Sequence, residues 1–316
     1  MNDSISRRRW LALAGTTAAA YLLRSRAVSA DELAPATRPA PTTTSSPHRY
    51  RIAACDWMML KRQKLGAIKL AREVGLDGVE VDMGGLGDRP TFDNKLTDPQ
   101  IRGQFVDACR EHGIEICSLA MSGFYAQSFP ERDGVERMVQ DCIDTMTLLG
   151  VKVAFLPLGV KGDLVQRPEL RPAVVERLKA IAPHAEKAGV VIGVETALDA
   201  AGDVRLLDNI GSPAVRIYFN FANALRAGRD LHAELRTLGA ERICQIHCTD
   251  QDGVWLRNNP RLKMPDVKRT LDEMGWSGWL VIERSRDASK SSDVKWNFSA
   301  NASYLKSVFQ SEEMPG

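Results

Sequence analysis

Four residues of this chain, Glu195, Asn220, His247 and Glu283, each stand at the end of a short β-branched or apolar run. The runs are VVIGVET (190–196), VRIYFNFAN (215–223), ICQIHCTD (243–250) and WLVIERS (279–285). In an extended strand, residues two apart share a face. Val191, Gly193 and Glu195 therefore point together, as do Tyr218 and Asn220, Gln245 and His247, and Trp279, Val281 and Glu283. Two carboxylates, an imidazole and an amide oxygen brought to one place form a hard-to-borderline ligand set for a divalent metal cation such as Mn²⁺, Mg²⁺, Co²⁺ or Zn²⁺. The same pair of carboxylates, Glu195 and Glu283, suits proton exchange at a carbon next to a carbonyl, once the developing oxyanion is stabilised. Each residue alone has a plainer role: a glutamate pairing with a helix lysine, a hydrogen-bonded core histidine, an asparagine capping a turn. Their recurrence, one per consecutive strand and always at the carboxyl end, is what points to a site. Asp56, Glu80, Tyr125, Asn223, Asp250 and Arg257 are expected nearby, with Glu80, Asn223, Asp250 and Arg257 as substrate contacts.

Such convergence needs a scaffold in which many strands end on one side. Four earlier runs, RIAACDW (51–57), DGVEVDMG (77–84), IEICSLAMSG (114–123) and VKVAFLPLG (151–159), complete eight strand-like segments. Between them lie helical patterns, for example Val135, Met138, Val139, Cys142, Ile143 and Met146. Gly75, Gly113, Gly150, Gly189 and Gly239 mark helix ends ahead of the next strand, the place where a left-handed residue is wanted. Eight strand–helix alternations predict a (β/α)8 TIM barrel, whose chemistry gathers at the carboxyl ends of the strands. The alternative, a doubly wound open sheet, lacks support because no GxGxxG or GxxxxGK follows the first strand.

The amino terminus reads differently. Basic Ser6–Arg9 precedes an apolar run from Trp10 to Leu23 and then AVSA, Ala27–Ala30, which suits cleavage before Asp31. Fourteen helical residues reach about 21 Å, short of a hydrocarbon core of about 30 Å, so a cleaved signal is favoured over a permanent membrane span. The order SRRRWL resembles the twin-arginine export motif, a route that moves folded proteins and would deliver the chain to the periplasm or another extracytoplasmic space. Residues 31–49, with four prolines among threonine and serine, read as a solvated linker, and the barrel occupies 50–316.

The 316 residues carry 42 basic and 40 acidic side chains, but five arginines against Asp3 fall within the first thirty residues. The remainder is slightly acidic, which argues against a nucleic-acid partner. The six cysteines show no CxxC and no zinc-type spacing, so buried free thiols are expected rather than a disulfide framework.

At the late strands the resemblance becomes specific. Glu195, the FANA segment with Asn223, IHCTD around His247, GWSGWLVIE ending in Glu283, and the turns EHGIEI and KAGVVI are similar to the xylose isomerase-like TIM-barrel superfamily, the sugar phosphate isomerase/epimerase group. The resemblance implies a divalent metal held by Glu195, Asn220, His247 and Glu283, a small carbohydrate substrate, and proton exchange by the two glutamates. Elimination by the same enolate would make the chain a lyase or dehydratase, and a sugar-binding barrel without catalysis is the other alternative. Two positions depart from the pattern: Asn220 stands where the family usually has a metal-binding aspartate, and Thr249 where many members have lysine.

Overall fold

The computed structural model describes residues 48–311; the signal segment and almost all of the linker lie outside the described residues. Eight parallel strands close on themselves in sequence order. They are β1 Tyr50–Cys55, β2 Gly78–Asp82, β3 Glu115–Ala120, β4 Val153–Pro157, β5 Val191–Glu195, β6 Val215–Asn220, β7 Ile243–His247 and β8 Gly278–Ile282. Closure is made by the first and last strands, which pair from Tyr50 with Gly278 through Ala54 with Ile282. The helices alternate with them: α1 Gly66–Glu73, α2 Pro99–His112, α3 Val135–Leu149, α4 Arg171–Ala188, α5 Ala200–Ile210, α6 Phe221–Arg226, α7 Leu231–Leu238, α8 Met264–Glu273 and α9 Val294–Phe309. This is the (β/α)8 barrel that the alternation predicts.

Two apolar layers follow from the period-two pattern. One face of each strand packs outward on the helices, as Val79, Val81, Ile192, Val194, Ile246 and Leu280 do. The other fills the barrel, where Ala53, Cys55, Cys117, Ala120, Phe155, Tyr218 and Val281 form a separate cluster. The strands are shorter than the runs that announce them, because the final residues of each run bend away as loop or helix. FAN, after Asn220, is the clearest case: it opens α6. Gly150 and Gly189 end α3 and α4 in the left-handed conformation. Gly239 differs, with positive φ but extended ψ, and leads into a short 3₁₀ turn before β7. All six cysteines are free thiols, four of them buried.

The interior is tight where the site is held up from below. A β-carbon on Gly193 would meet Cys244 Sγ at 2.6 Å, Tyr218 Cβ at 3.1 Å and the Ala154 carbonyl at 3.2 Å. Gly193→Ala is therefore expected to destabilise the barrel by about 1–3 kcal/mol, as overpacking of a dense core does. Urea unfolding of wild type and variant measures it, and an unchanged midpoint would contradict the packing described.

Candidate active site

The strand ends deliver the four side chains to one buried cluster. Glu195 closes β5, Asn220 closes β6, His247 closes β7, and Glu283 follows the last residue of β8. All four are buried. Asn220 is the joint between the carboxylates: its Nδ2 donates to Glu195 Oε2 at 3.0 Å and to Glu283 Oε2 at 3.3 Å. Its Oδ1 accepts from the Ala222 amide at 2.9 Å, capping α6. That cap settles which way the side chain faces, since a backbone N–H needs an acceptor and the opposite orientation would oppose two donors. The asparagine thus turns hydrogens, not a lone pair, toward the glutamates.

The outer oxygens of the carboxylates are also held. Glu195 Oε1 accepts from Asn223 Nδ2 at 3.3 Å, and Glu283 Oε1 accepts from the Tyr125 hydroxyl at 3.2 Å. Burial, followed by the charges of Glu195 and Glu283, pushes the Tyr125 phenol well above its ordinary range, so it serves as a donor. Trp57, just past β1, stacks on Phe155 at a centroid distance of 6.4 Å, and Tyr125 leans on the same ring at 6.0 Å.

His247 lies between two carboxylates, with Nδ1 at 3.4 Å from Glu195 Oε2 and Nε2 at 3.0 Å from Glu80 Oε1. Burial alone would lower its proton affinity, but the carboxylates of Glu80 and Glu195 outweigh burial and hold the pKa up at about 10. Glu80 is fully buried within the barrel. Its Oε2 accepts from Ser118 Oγ at 2.7 Å and the Tyr218 hydroxyl at 2.8 Å, and Cys55 Sγ lies 3.4 Å from Oε1. Cys55, Glu80 and His247 each offer an atom to a group spanning no more than 4.8 Å, close enough to share a metal ion.

The structure thus brings Glu195, Asn220, Asn223, His247 and Glu283 together, with Glu80 one layer beneath. Asp250 and Arg257 have other partners. Asp250 is gripped by Arg261 at 2.7 and 2.8 Å and by Asn259 at 3.0 Å, and its backbone N–H donates to Ser285 Oγ at 3.2 Å. It ties the loop after β7 to the one after β8. Arg257 is exposed, its guanidinium 5.5 Å from the Tyr304 ring on α9. Ser285, two residues past Glu283, adopts φ 67 although fully buried, with its carbonyl held by Asn301 Nδ2 at 2.8 Å. A non-glycine residue in that region costs on the order of 1 kcal/mol or more, which here sets the turn directly after Glu283. Sequence reasoning missed Cys55, Ser118 and Ser285. Reading strands β1 and β3 by parity, as was done for β5 to β8, exposes the first two; no local pattern marks the third.

Comparison with known proteins agrees with this architecture. The family model described as a xylose isomerase-like TIM barrel matches residues 68–307. The 2-epi-5-epi-valiolone 7-phosphate 2-epimerase of an Actinoplanes species is 28% identical over 204 residues, covering 63% of this chain and 72% of that protein. The D-psicose 3-epimerase of Clostridium cellulolyticum H10, solved with D-tagatose, superposes with a TM-score of 0.65 at 13% identity, covering 82% of this chain and 99% of the other. A 3-keto-D-glucoside 4-epimerase from E. coli does so at 0.64 and 14%, over 82% and 99%.

The imidazole carries a pH signature. Its folded pKa of about 10 lies above the ordinary 6.5, so the protonated ring stabilises the fold. That contribution is complete below about pH 6.5, declines as the pH rises, and is gone above about pH 10. In chelator, the stability gap between wild type and His247→Asn should therefore narrow from about pH 6 to about pH 10 in urea titrations. A gap that widens with pH would contradict the ion-pair geometry.

Proposed function

Because the chain belongs to the xylose isomerase-like TIM-barrel family, we propose that it is a sugar isomerase or epimerase that moves a proton at a carbon beside a carbonyl. One observation carries the reading: Glu195 and Glu283 stand at the ends of different strands in one buried mouth, bridged by the Asn220 amide at 3.0 and 3.3 Å. Two bases approaching a substrate from different strands permit removal of a proton on one face and its return on the other, which is epimerisation. Asn223 and Tyr125 restrain the outer oxygens, so each carboxylate meets substrate in a fixed orientation. Trp57 and Tyr125, both against Phe155, supply apolar ring surface for the C–H face of a sugar.

Whether the mouth suits a divalent cation follows from its donors. Glu195 Oε2 and His247 Nδ1 lie 3.4 Å apart, and Glu283 Oε2 reaches the same Asn220 amide as Glu195 Oε2. Two carboxylates match the charge of one divalent ion. Glu195, His247 and Glu283 would hold it, whereas Asn220, with Oδ1 committed to Ala222, presents hydrogens in place of a ligand atom. Such an ion, Mn²⁺, Mg²⁺, Co²⁺ or Zn²⁺, supplies several kcal/mol of stabilisation to negative charge developing on a carbonyl oxygen. Abstraction and return of the proton fall to Glu283 and Glu195. The same abstraction eliminates a β substituent where the substrate has one, so product analysis separates epimerase from lyase.

The test is incubation with ketoses and 3-keto-glycosides in D₂O. Deuterium should enter at the carbon beside the carbonyl, and Glu283→Gln should slow entry at least about 10²-fold while the fold survives. Near-normal exchange in a folded Glu283→Gln chain would remove that residue from the chemistry.

Location is a separate proposal. Among the described residues no helix is long and apolar enough to cross a membrane, and SRRRWL with AVSA supports twin-arginine export and cleavage before Asp31. An Arg7→Lys, Arg8→Lys chain should fail to reach the extracytoplasmic fraction; unchanged export would sink the twin-arginine assignment.

A further inference from the structure

Glu80 is a charged residue of the barrel interior that the proposed chemistry leaves idle. It is fully buried, and its two oxygens take four contacts, from Ser118, Tyr218, His247 and Cys55. A carboxylate so engaged neither reaches a substrate nor acts as a base. The surrounding hydrogen bonds treat it as an acceptor. Gln245 Nε2 donates to Ser118 Oγ at 2.8 Å and to the Tyr218 oxygen at 2.9 Å. Both hydroxyls, having accepted from Gln245, turn their own hydrogens toward Glu80. Glu80 thus accepts from both hydroxyls and faces His247 Nε2 at 3.0 Å, as a carboxylate acceptor does.

The consequence appears on the far side of the ring. An anion accepting from one ring nitrogen of a histidine fixes its orientation and raises the basicity of the other, here Nδ1, which faces Glu195 Oε2. Asn220 brings no charge to the mouth. Glu80 lies within 3.0 Å of the opposite edge of the same imidazole.

We propose that Glu80 is a positioning residue that supplies, through the His247 ring, the negative charge toward a bound cation that Asn220 does not bring. The proposal rests on the reading of Glu195, His247 and Glu283 as cation donors. It makes Glu80 and Asn220 two halves of one electrostatic arrangement, coupled though they do not touch.

A double-mutant cycle on the metal-stripped full chain decides it, with Mn²⁺ affinity read by calorimetric titration. Glu80→Gln should weaken Mn²⁺ binding by about 10- to 100-fold, the range for partners of ligating histidines. Asn220→Asp should tighten binding. In the Asn220→Asp background, Glu80→Gln should cost much less than in wild type, because the charge is then present at residue 220. A loss of the same factor in both backgrounds would mean that Glu80 merely packs the interior, and no loss would mean it is electrically silent; either overturns the proposal. Circular dichroism checks the fold, and Glu80→Asp, which keeps the charge but withdraws it by one methylene, serves the same cycle should Glu80→Gln not fold. Wild type that exchanges deuterium without binding Mn²⁺ sinks this proposal and spares the proton-transfer reading. Wild type that binds Mn²⁺ but exchanges nothing does the reverse.

Discussion

Three carboxylates within reach of one imidazole would repel one another out of any unsupported arrangement, and the mouth of this barrel exists because that repulsion is balanced. Protonated His247 lies between Glu80 and Glu195, and the Asn220 amide lies between Glu195 and Glu283. Charge that close in a dry interior is worth far more than it would be in water. Everything around it serves to hold it. Phe155 and Tyr218 pack on the imidazole ring at 4.7 and 4.6 Å, α6 begins at Asn220 and so pins the amide, and the tie between Asp250 and Ser285 anchors the turn behind Glu283. Asn220 answers to two demands at once, as helix cap and as bridge, and this leaves its side chain a single orientation.

The late strands were legible because their chemistry obeys the simplest rule available. Alternation along β5 to β8 places Glu195, Asn220, His247 and Glu283 on the inner face, and each stands at or just beyond a strand end. Glu80 is on an inner face too, but two residues short of the end of β2, and that offset moves it from the mouth to the layer below. The strand register also shifts between Val79 and Glu80, a local irregularity that no hydrophobic pattern announces. Asp250 and Arg257 belong to the long segment after β7, where no periodicity applies. Their partners, Arg261 at eleven residues' separation and Tyr304 on α9, are set by how that loop folds.

Polar groups inside a barrel need a complete set of partners, and this one nearly has it. Gln245, Ser118, Tyr218, Glu80 and His247 form a continuous run of donors and acceptors from β7 through β3, β6 and β2 back to β7. Gln245 Oε1 is the one side-chain oxygen of this run that is buried without a hydrogen-bond partner among the described residues. A run closed in this way resists piecemeal change, since losing one member strands the next. It explains why so much of the inward surface of an apolar scaffold is given to side chains that no substrate touches.

The pairing of β1 with β8 has a temporal side. Arg49 bonds across 227 residues to the Trp276 carbonyl, and β1 from Tyr50 to Ala54 waits for the last strand of the barrel. Contacts so distant along the chain form late and slowly. Glu283 comes after that last strand, so the nascent barrel has no complete mouth until β8 has left the ribosome. Until then the interior carboxylates face water or one another. The buried charged cluster is therefore completed by the closing strand, and a chain truncated before β8 would be an open sheet with an unpaired edge at each side.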